Sequence, residues 1–255
     1  MAIIALKAWY LESYEPVQEL EKRPHDLRLS KNSLLKSALR ADFLDDSDEV
    51  RQAAWFRRYL DGEPVEFYIE GSGGYAISNI DLISHEIYFT KREVMAHLDP
   101  VIYFCYQSEF EASAELLHEG LMAAVDAMNA KSRVSLSLEV SLRLSEGPAR
   151  LNSSLTRKIR KALLFVADGT PILKGDGDSK LVIPSPNVCV EMGYALQAKQ
   201  ADQILLAQME RPDLPGQYPF DVPADSRISF KAKTDLNKVL PQALEQHLSR
   251  FNLWA

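Results

Sequence analysis

The chain has 255 residues, 46% of them hydrophobic and 25% charged, and a net charge of −7. That length holds one large domain or two small ones, and the composition is that of a globular protein rather than a disordered or fibrous one. The negative balance disfavours nucleic acid as a bulk electrostatic partner. No apolar run is long enough for a bilayer, and "MAIIALKAWYLESYE" lacks the basic region of a signal peptide, so a cytoplasmic protein without membrane contact is expected.

"MAIIALKAWYL" reads as a strand. "SKNSLLKSALRADFL" reads as a helix, with Ser30 as its cap and Leu34, Leu35, Ala38 and Leu39 at helical spacing. "DEVRQAAWFRRYLDGE" reads as a second amphipathic helix. In "EPVEFYIEGSGGYAISNIDLISHEIYFT", two runs rich in β-branched and aromatic residues flank Gly71–Gly74, which predicts a hairpin or a pair of strands. The glycine cluster opens no helix, so it reads as a tight turn before it reads as a phosphate loop. Asp99-Pro100 marks a boundary between a smaller α+β domain over 1–99 and a second domain over 100–255. The first carries 12 Lys and Arg against 18 Asp and Glu, yet Lys22–Arg40 holds six basic residues and one acid. That island reads as a solvated face or as an anion or nucleic-acid contact, with the solvated face favoured.

The second part alternates strands and helices. "VIYFCYQ" is apolar on both faces, as a central parallel strand is. "EASAELLHEGLMAAVDAMNA" is a helix, "RVSLSLEVSL" an alternating strand, "SSLTRKIRKA" a short helix and "LLFVAD" a buried strand ending in Asp168. "SPNVCVEMGYALQAKQ" is a turn and helix, "QILLAQM" and "RISFK" are strands, and "DLNKVLPQALEQHLSRFNLW" is a closing helix. The alternation predicts an α/β fold, a parallel sheet with helices on both faces, whose ligands bind beyond the carboxyl ends of the strands. Cys105 and Cys189 read as buried thiols, and no Cys/His cluster has metal-ligand spacing, so no metal is expected. "DGD" within "LKGDGDSKLVI" is too short for a calcium loop, and this polar insert reads as a surface loop or lid.

The chemistry concentrates around Glu191, a carboxylate in an apolar helix start. A carboxylate held against an anomeric carbon stabilises the positive charge that develops when a ribosyl N–C bond breaks, or bonds to it covalently. Asn187 lies about one turn earlier and is placed to orient Glu191 or to cap the helix. Gly193 and Ala195 are expected to let the helix approach the sheet closely. Tyr194 reads as core or as a hydrogen-bonding group. Asp168 either serves the site or ends its strand in a turn with Gly169. Arg227 is an ordinary strand residue or a phosphate holder.

"IRKALLFVADGTPI", "PSPNVCVEMGYAL", "QILLAQ" and "YPFDVPADSRISF", taken in that order, resemble a bacterial family of TIR-like and nucleoside 2-deoxyribosyltransferase-like domains, over about residues 100–232. The Pro-Asn-Val-x-x-Glu-x-Gly-Tyr-Ala string is the most specific part. Residues 1–99 are not covered. The resemblance implies a flavodoxin-like (TIR-like) sheet acting at an N-glycosidic bond. Glu191 and Asp168 would be the catalytic pair, with Asn187, Tyr194, Thr170, Tyr106, Ser108 and Arg227 at the substrate. In TIR NADases the glutamate is the catalytic acid residue that splits nicotinamide from NAD. In the deoxyribosyltransferases it is the nucleophile at the anomeric carbon. Where the family often has a serine near the end of the first strand, Tyr106, Gln107 and Ser108 stand with no clear match. NAD enters as substrate, with no cofactor. The expectation is a nucleotide N-glycosidase, foremost an NAD hydrolase serving as an antiphage effector, silent until it self-associates or meets an activator, with residues 1–99 as sensor or assembly module. The alternatives are a non-catalytic nucleotide- or signal-binding module contacting a protein or nucleic acid, and a nucleoside 2-deoxyribosyltransferase.

Overall fold

The computed structural model describes residues 5–30, 38–92, 95–142, 153–175, 181–218 and 221–254, and the chain divides into two compact units, Met1–His97 and Leu98–Ala255. Asp99 and Pro100 are the first two residues of a strand in the second unit.

The first unit is a six-stranded antiparallel sheet. Its strands are β1 (Ala5–Tyr10), β2 (Leu27–Ser30), β3 (Ala38–Asp42), β4 (Glu66–Ile69), β5 (Gly73–Asp81) and β6 (Glu86–Lys91), in the order β2-β1-β4-β5-β6-β3. An isolated antiparallel bridge between Leu29 and Phe43 links the two outer strands, so the sheet curls toward a barrel. Leu27, Leu29, Phe43, Trp55, Phe67 and Phe89 fill it, with Trp55 edge-on to Phe67. The helix expected over 30–44 is corrected: Ser30 ends β2, and Ala38–Asp42 is a strand paired with β6, while residues 31–37 lie outside the described residues. A Leu/Ala spacing that suits a helix is overridden by pairing across the sheet. The single helix expected over 48–63 is two, α2 (Ser47–Gln52) and α3 (Ala54–Leu60), after the short α1 (Val17–Leu20). Ala53, extended at ψ 140°, separates them. The hairpin at Gly71–Gly74 is present as β4 and β5, turning through Gly71 and Gly73 at positive φ, and a further strand, β6, follows.

The second unit is a five-stranded parallel sheet. β7 (Asp99–Cys105), β8 (Ser137–Val140), β9 (Ala162–Asp168), β12 (Ile204–Met209) and β13 (Arg227–Phe230) lie in the order β13-β12-β9-β7-β8. Counted from β7 this is 2-1-3-4-5, the flavodoxin-like order. The small antiparallel pair β10 (Leu173–Lys174) and β11 (Val182–Ile183) brackets the polar insert, whose residues 176–180 lie outside the described residues. The crossover through α4 (Glu111–Asn129) runs from β7 outward to β8. The next, through α5 (Ser153–Lys161), runs back past β7 to β9, and α6 (Pro186–Ala198) continues that way to β12. Crossovers of one hand in opposite directions put their helices on opposite faces. Accordingly α4 packs with α7 (Lys233–Leu248), and α5 with α6. β9 is buried at every position, as the middle of such a sandwich demands. No helix among the described residues is long and apolar enough to cross a membrane.

Candidate functional site

Glu191 lies in the second turn of α6, 1% exposed. Its Oε1 accepts a hydrogen bond of 2.8 Å from Ser141 Oγ, just past β8. Ser141 is itself buried, and its backbone N–H donates to Phe104 O at 2.8 Å, so the donor is fixed at the carboxyl edge of the sheet. The bond is made away from bulk water. Ser141 carried no signal in the sequence: a serine in an alternating strand is common, and its partner is 50 residues away.

Asp168 faces the other layer. Its Oδ2 accepts from Ser113 Oγ of α4 at 2.6 Å, and its Oδ1 accepts from Thr170 N–H at 3.0 Å. Gln107 Nε2 donates to Thr170 O at 2.9 Å and reaches Ser113 Oγ at 3.4 Å. Thr170 Oγ1 in turn accepts from Met209 N–H at 2.9 Å. Burial pushes the Asp168 carboxyl above the usual carboxylate range, while the bonds from Ser113 and Thr170 hold it down. The two expected catalytic carboxylates share no hydrogen-bond partner. Glu191 belongs to the α5/α6 layer, and Asp168 is enclosed in a network that ties the start of α4 to the end of β9.

The other expected residues divide the same way. Asn187 is half-buried on α6, one turn before Glu191, and makes no side-chain hydrogen bond among the described residues. It is not the helix cap. Ser185 holds that position, and its hydroxyl donates to Glu109 Oε1 at 2.9 Å. Tyr194 packs against the core between α6 and the sheet. Ala195 is fully buried there, but Gly193 is exposed with nothing within 4 Å of a Cβ placed on it, so the expected close approach at Gly193 is corrected. Tight packing belongs to Gly169 instead, where a Cβ would lie 2.6 Å from Leu206 Cδ1. Gly169 O accepts from the Tyr218 hydroxyl, whose pKa is pushed up by burial and by the nearby Asp168 charge. Tyr106 and Ser108 line a cavity of about 700 Å³ between the ends of β7 and β8 and the first turns of α4. Arg227 is on β13, four strands from β8 or roughly 19 Å across the sheet, and its Nε donates to Val222 O at 2.6 Å. It does not share a site with Glu191.

The basic island of the first unit is largely neutralised. Lys22 pairs with Glu19, Arg23 with Glu15 and Asp26, Arg28 with Asp45 and Arg40 with Glu86, while Lys31 and Lys36 lie outside the described residues. Cations held by neighbouring acids leave little field for phosphate. Among the described residues no group of three or more His, Cys, Asp or Glu is arranged to hold a metal ion. Neither Cys105, which is buried, nor Cys189, which is half-buried, is in a disulfide.

A parallel five-stranded sheet of flavodoxin-like order between two helical layers, joined in sequence to an antiparallel barrel, defines an α/β protein with its polar groups gathered at the carboxyl edge. No protein-family model matches the chain, and no curated protein matches it. Among solved structures it is similar to the metal-soaked Flv1 flavodiiron core from Synechocystis sp. PCC6803, at 10% identity and a TM-score of 0.37, over 61% of this chain and 36% of that one.

Proposed function

We propose that the second unit is a TIR-like N-glycosidase that splits a nucleotide, NAD foremost, with Glu191 at the ribose. The observation that carries this reading is the Glu191 carboxylate, held by Ser141 at the carboxyl edge of a 2-1-3-4-5 sheet. In such sheets ligands meet the protein at that edge, and a fixed carboxylate there can stabilise an oxocarbenium-like sugar. Asn187, unbonded and one turn away, is free to take a ribose hydroxyl. In this reading the protein is a cytoplasmic antiphage effector that fires on self-association or on meeting an activator, with the first unit as sensor or assembly module. NAD is consumed as substrate and no cofactor takes part.

A second reading is favoured by Asp168. That carboxylate is already bonded to Ser113 of α4 and to Thr170, and these bonds occupy it within the fold. The unit would then bind a nucleotide without cleaving it. Incubation of the purified protein with NAD, ATP and deoxynucleosides, with free base followed by chromatography, separates the readings. Base released by wild type and not by Glu191→Gln supports the glycosidase. Transfer of the sugar to an added acceptor base would instead indicate a 2-deoxyribosyltransferase. Binding without any release leaves the non-catalytic module.

A further inference from the structure

Lys199 caps the end of α6, at the opposite edge of the sheet from Glu191. Its side chain is half-buried, and Nζ donates to Ala162 O, at the first residue of β9, over 2.6 Å. No carboxylate pairs with it among the described residues. Lys131, Lys158, Lys161 and Lys233 of the same unit each pair with an Asp or Glu instead. The charged group that acts on Lys199 is a cation, the Arg250 guanidinium, from the single turn Ser249–Phe251 that follows α7. Asp202 takes one arm of that guanidinium, through Nη1. The other polar side chains at this edge are committed to backbone carbonyls: Gln203 Nε2 to Leu163 O at 3.3 Å and His247 Nδ1 to Asp202 O at 2.6 Å. Partial burial beside a second cation is a poor setting for an ammonium. Burial first, and Arg250 second, bring the Lys199 pKa down to about 8. At pH 7 about a tenth of such amines are neutral, against roughly one in 2,500 for a lysine in water.

We infer that Lys199 is a carbamylation site, with carbon dioxide as its reagent. The Nζ lone pair adds to the carbon of CO2, one C=O electron pair moves onto oxygen, and the nitrogen gives up one proton to water. The product is an N-carboxylate, –NH–COO⁻. Its remaining N–H still donates to Ala162 O. The charge at the site changes from that of an ammonium to that of an anion, so the Arg250 guanidinium, which opposes the ammonium, attracts the product. The Asp202 bond uses Nη1, and the rest of the guanidinium fork suits a carboxylate. CO2 is small and uncharged, as a half-buried amine beside a cation requires. The site shares no residue with the N-glycosidase reading and lies at the other edge of the sheet, so neither rests on the other.

The test is chemical trapping. The full chain is equilibrated with CO2 and bicarbonate at about pH 8, carbamates are alkylated with triethyloxonium, and the modified lysines are located by mass spectrometry of a digest. The chain's α-amino group, which ordinarily titrates near 8, is the internal control that trapping works. The expected result is a trapped carbamate on Lys199 at about tenfold or more the occupancy of the exposed Lys174 and Lys238. Arg250→Gln returns the amine toward its ordinary pKa and removes the product's partner, so Lys199 occupancy falls about threefold or more. Glu191→Gln leaves the occupancy unchanged, whatever it does to base release, so the two assignments fail separately. A trapped α-amino group with Lys199 modified no more than Lys174 and Lys238, or an occupancy unaltered by Arg250→Gln, would overturn the site and leave Lys199 as a structural tie between α6 and β9.

Discussion

Ser141 Oγ donates to Glu191 Oε1 over 2.8 Å, joining the end of β8 to the second turn of α6. Both residues are buried, so the bond is made out of water. Ser141→Ala is expected to cost about 1–3 kcal/mol of stability, the range for leaving a buried acceptor unsatisfied. In a double-mutant cycle with Glu191→Ala the pair should show a coupling of about 1 kcal/mol, well beyond the ~0.3–0.5 kcal/mol scatter of independent sites. Urea unfolding of the four proteins measures it. Strictly additive losses would mean that Ser141 does not hold Glu191.

Asp168 has a different character, and Asp168→Asn exposes it. An asparagine there can still accept from Thr170 N–H and can donate to Ser113 Oγ, so the network survives with one bond reversed. The Asp168 carboxyl is raised by burial, so its contribution to stability is complete below the unfolded value of about 4 and is lost as pH rises through the folded one. The amide does not titrate. The stability of Asp168→Asn relative to wild type should therefore rise from pH 4 to pH 7 in denaturant titrations. If turnover is found, this variant keeps it while Glu191→Gln does not. A dead Asp168→Asn with normal stability would return Asp168 to the catalytic machinery.

Much of the second unit was legible in the chain. "VIYFC", "LLFVAD" and "QILLAQM" are apolar on both faces over most of their length because each is largely buried between two helical layers. β3 was not legible, because Leu39 and its neighbours suit a helix in isolation, and the strand exists only through its partners on β6. The Glu191 half of the site could be read from a carboxylate in an apolar helix. Ser141, Gln107 and Ser113 could not, since a lone hydroxyl or amide announces nothing until a residue 50 or more positions away is set against it.

Two glycines should respond in opposite senses. Gly193 lies inside α6, exposed, with open space where a methyl would go. Gly193→Ala should stabilise the protein by about 0.5–1 kcal/mol through helix propensity and a less flexible unfolded chain. At Gly169 a methyl would overlap Leu206, with Cγ at 2.9 Å as well as Cδ1 at 2.6 Å, in a fully buried strand pair. Gly169→Ala should destabilise by about 1–3 kcal/mol. Thermal melts of the two variants beside wild type decide both, and a neutral Gly169→Ala would show that β12 can yield.

Lys199 ends α6 on the amino-terminal side of the sheet, where its Nζ donates to Ala162 O at 2.6 Å. Burial, with Arg250 nearby, brings its pKa down to about 8. The unfolded chain holds the lysine proton until roughly pH 10.5. Between those values the unfolded state binds more protons than the folded one, so this residue makes stability increase with pH across that window. The gap corresponds to at most about 3 kcal/mol. Cys189, whose thiol is raised by burial, acts in the opposite direction as pH rises, so the total curve does not isolate Lys199. The comparison that does is wild type against Lys199→Met, which fills the same space without a titrating group. The variant should gain most over wild type near pH 7, with the advantage shrinking by pH 10. Parallel pH profiles for the two proteins would show that Lys199 keeps an ordinary pKa in the folded state.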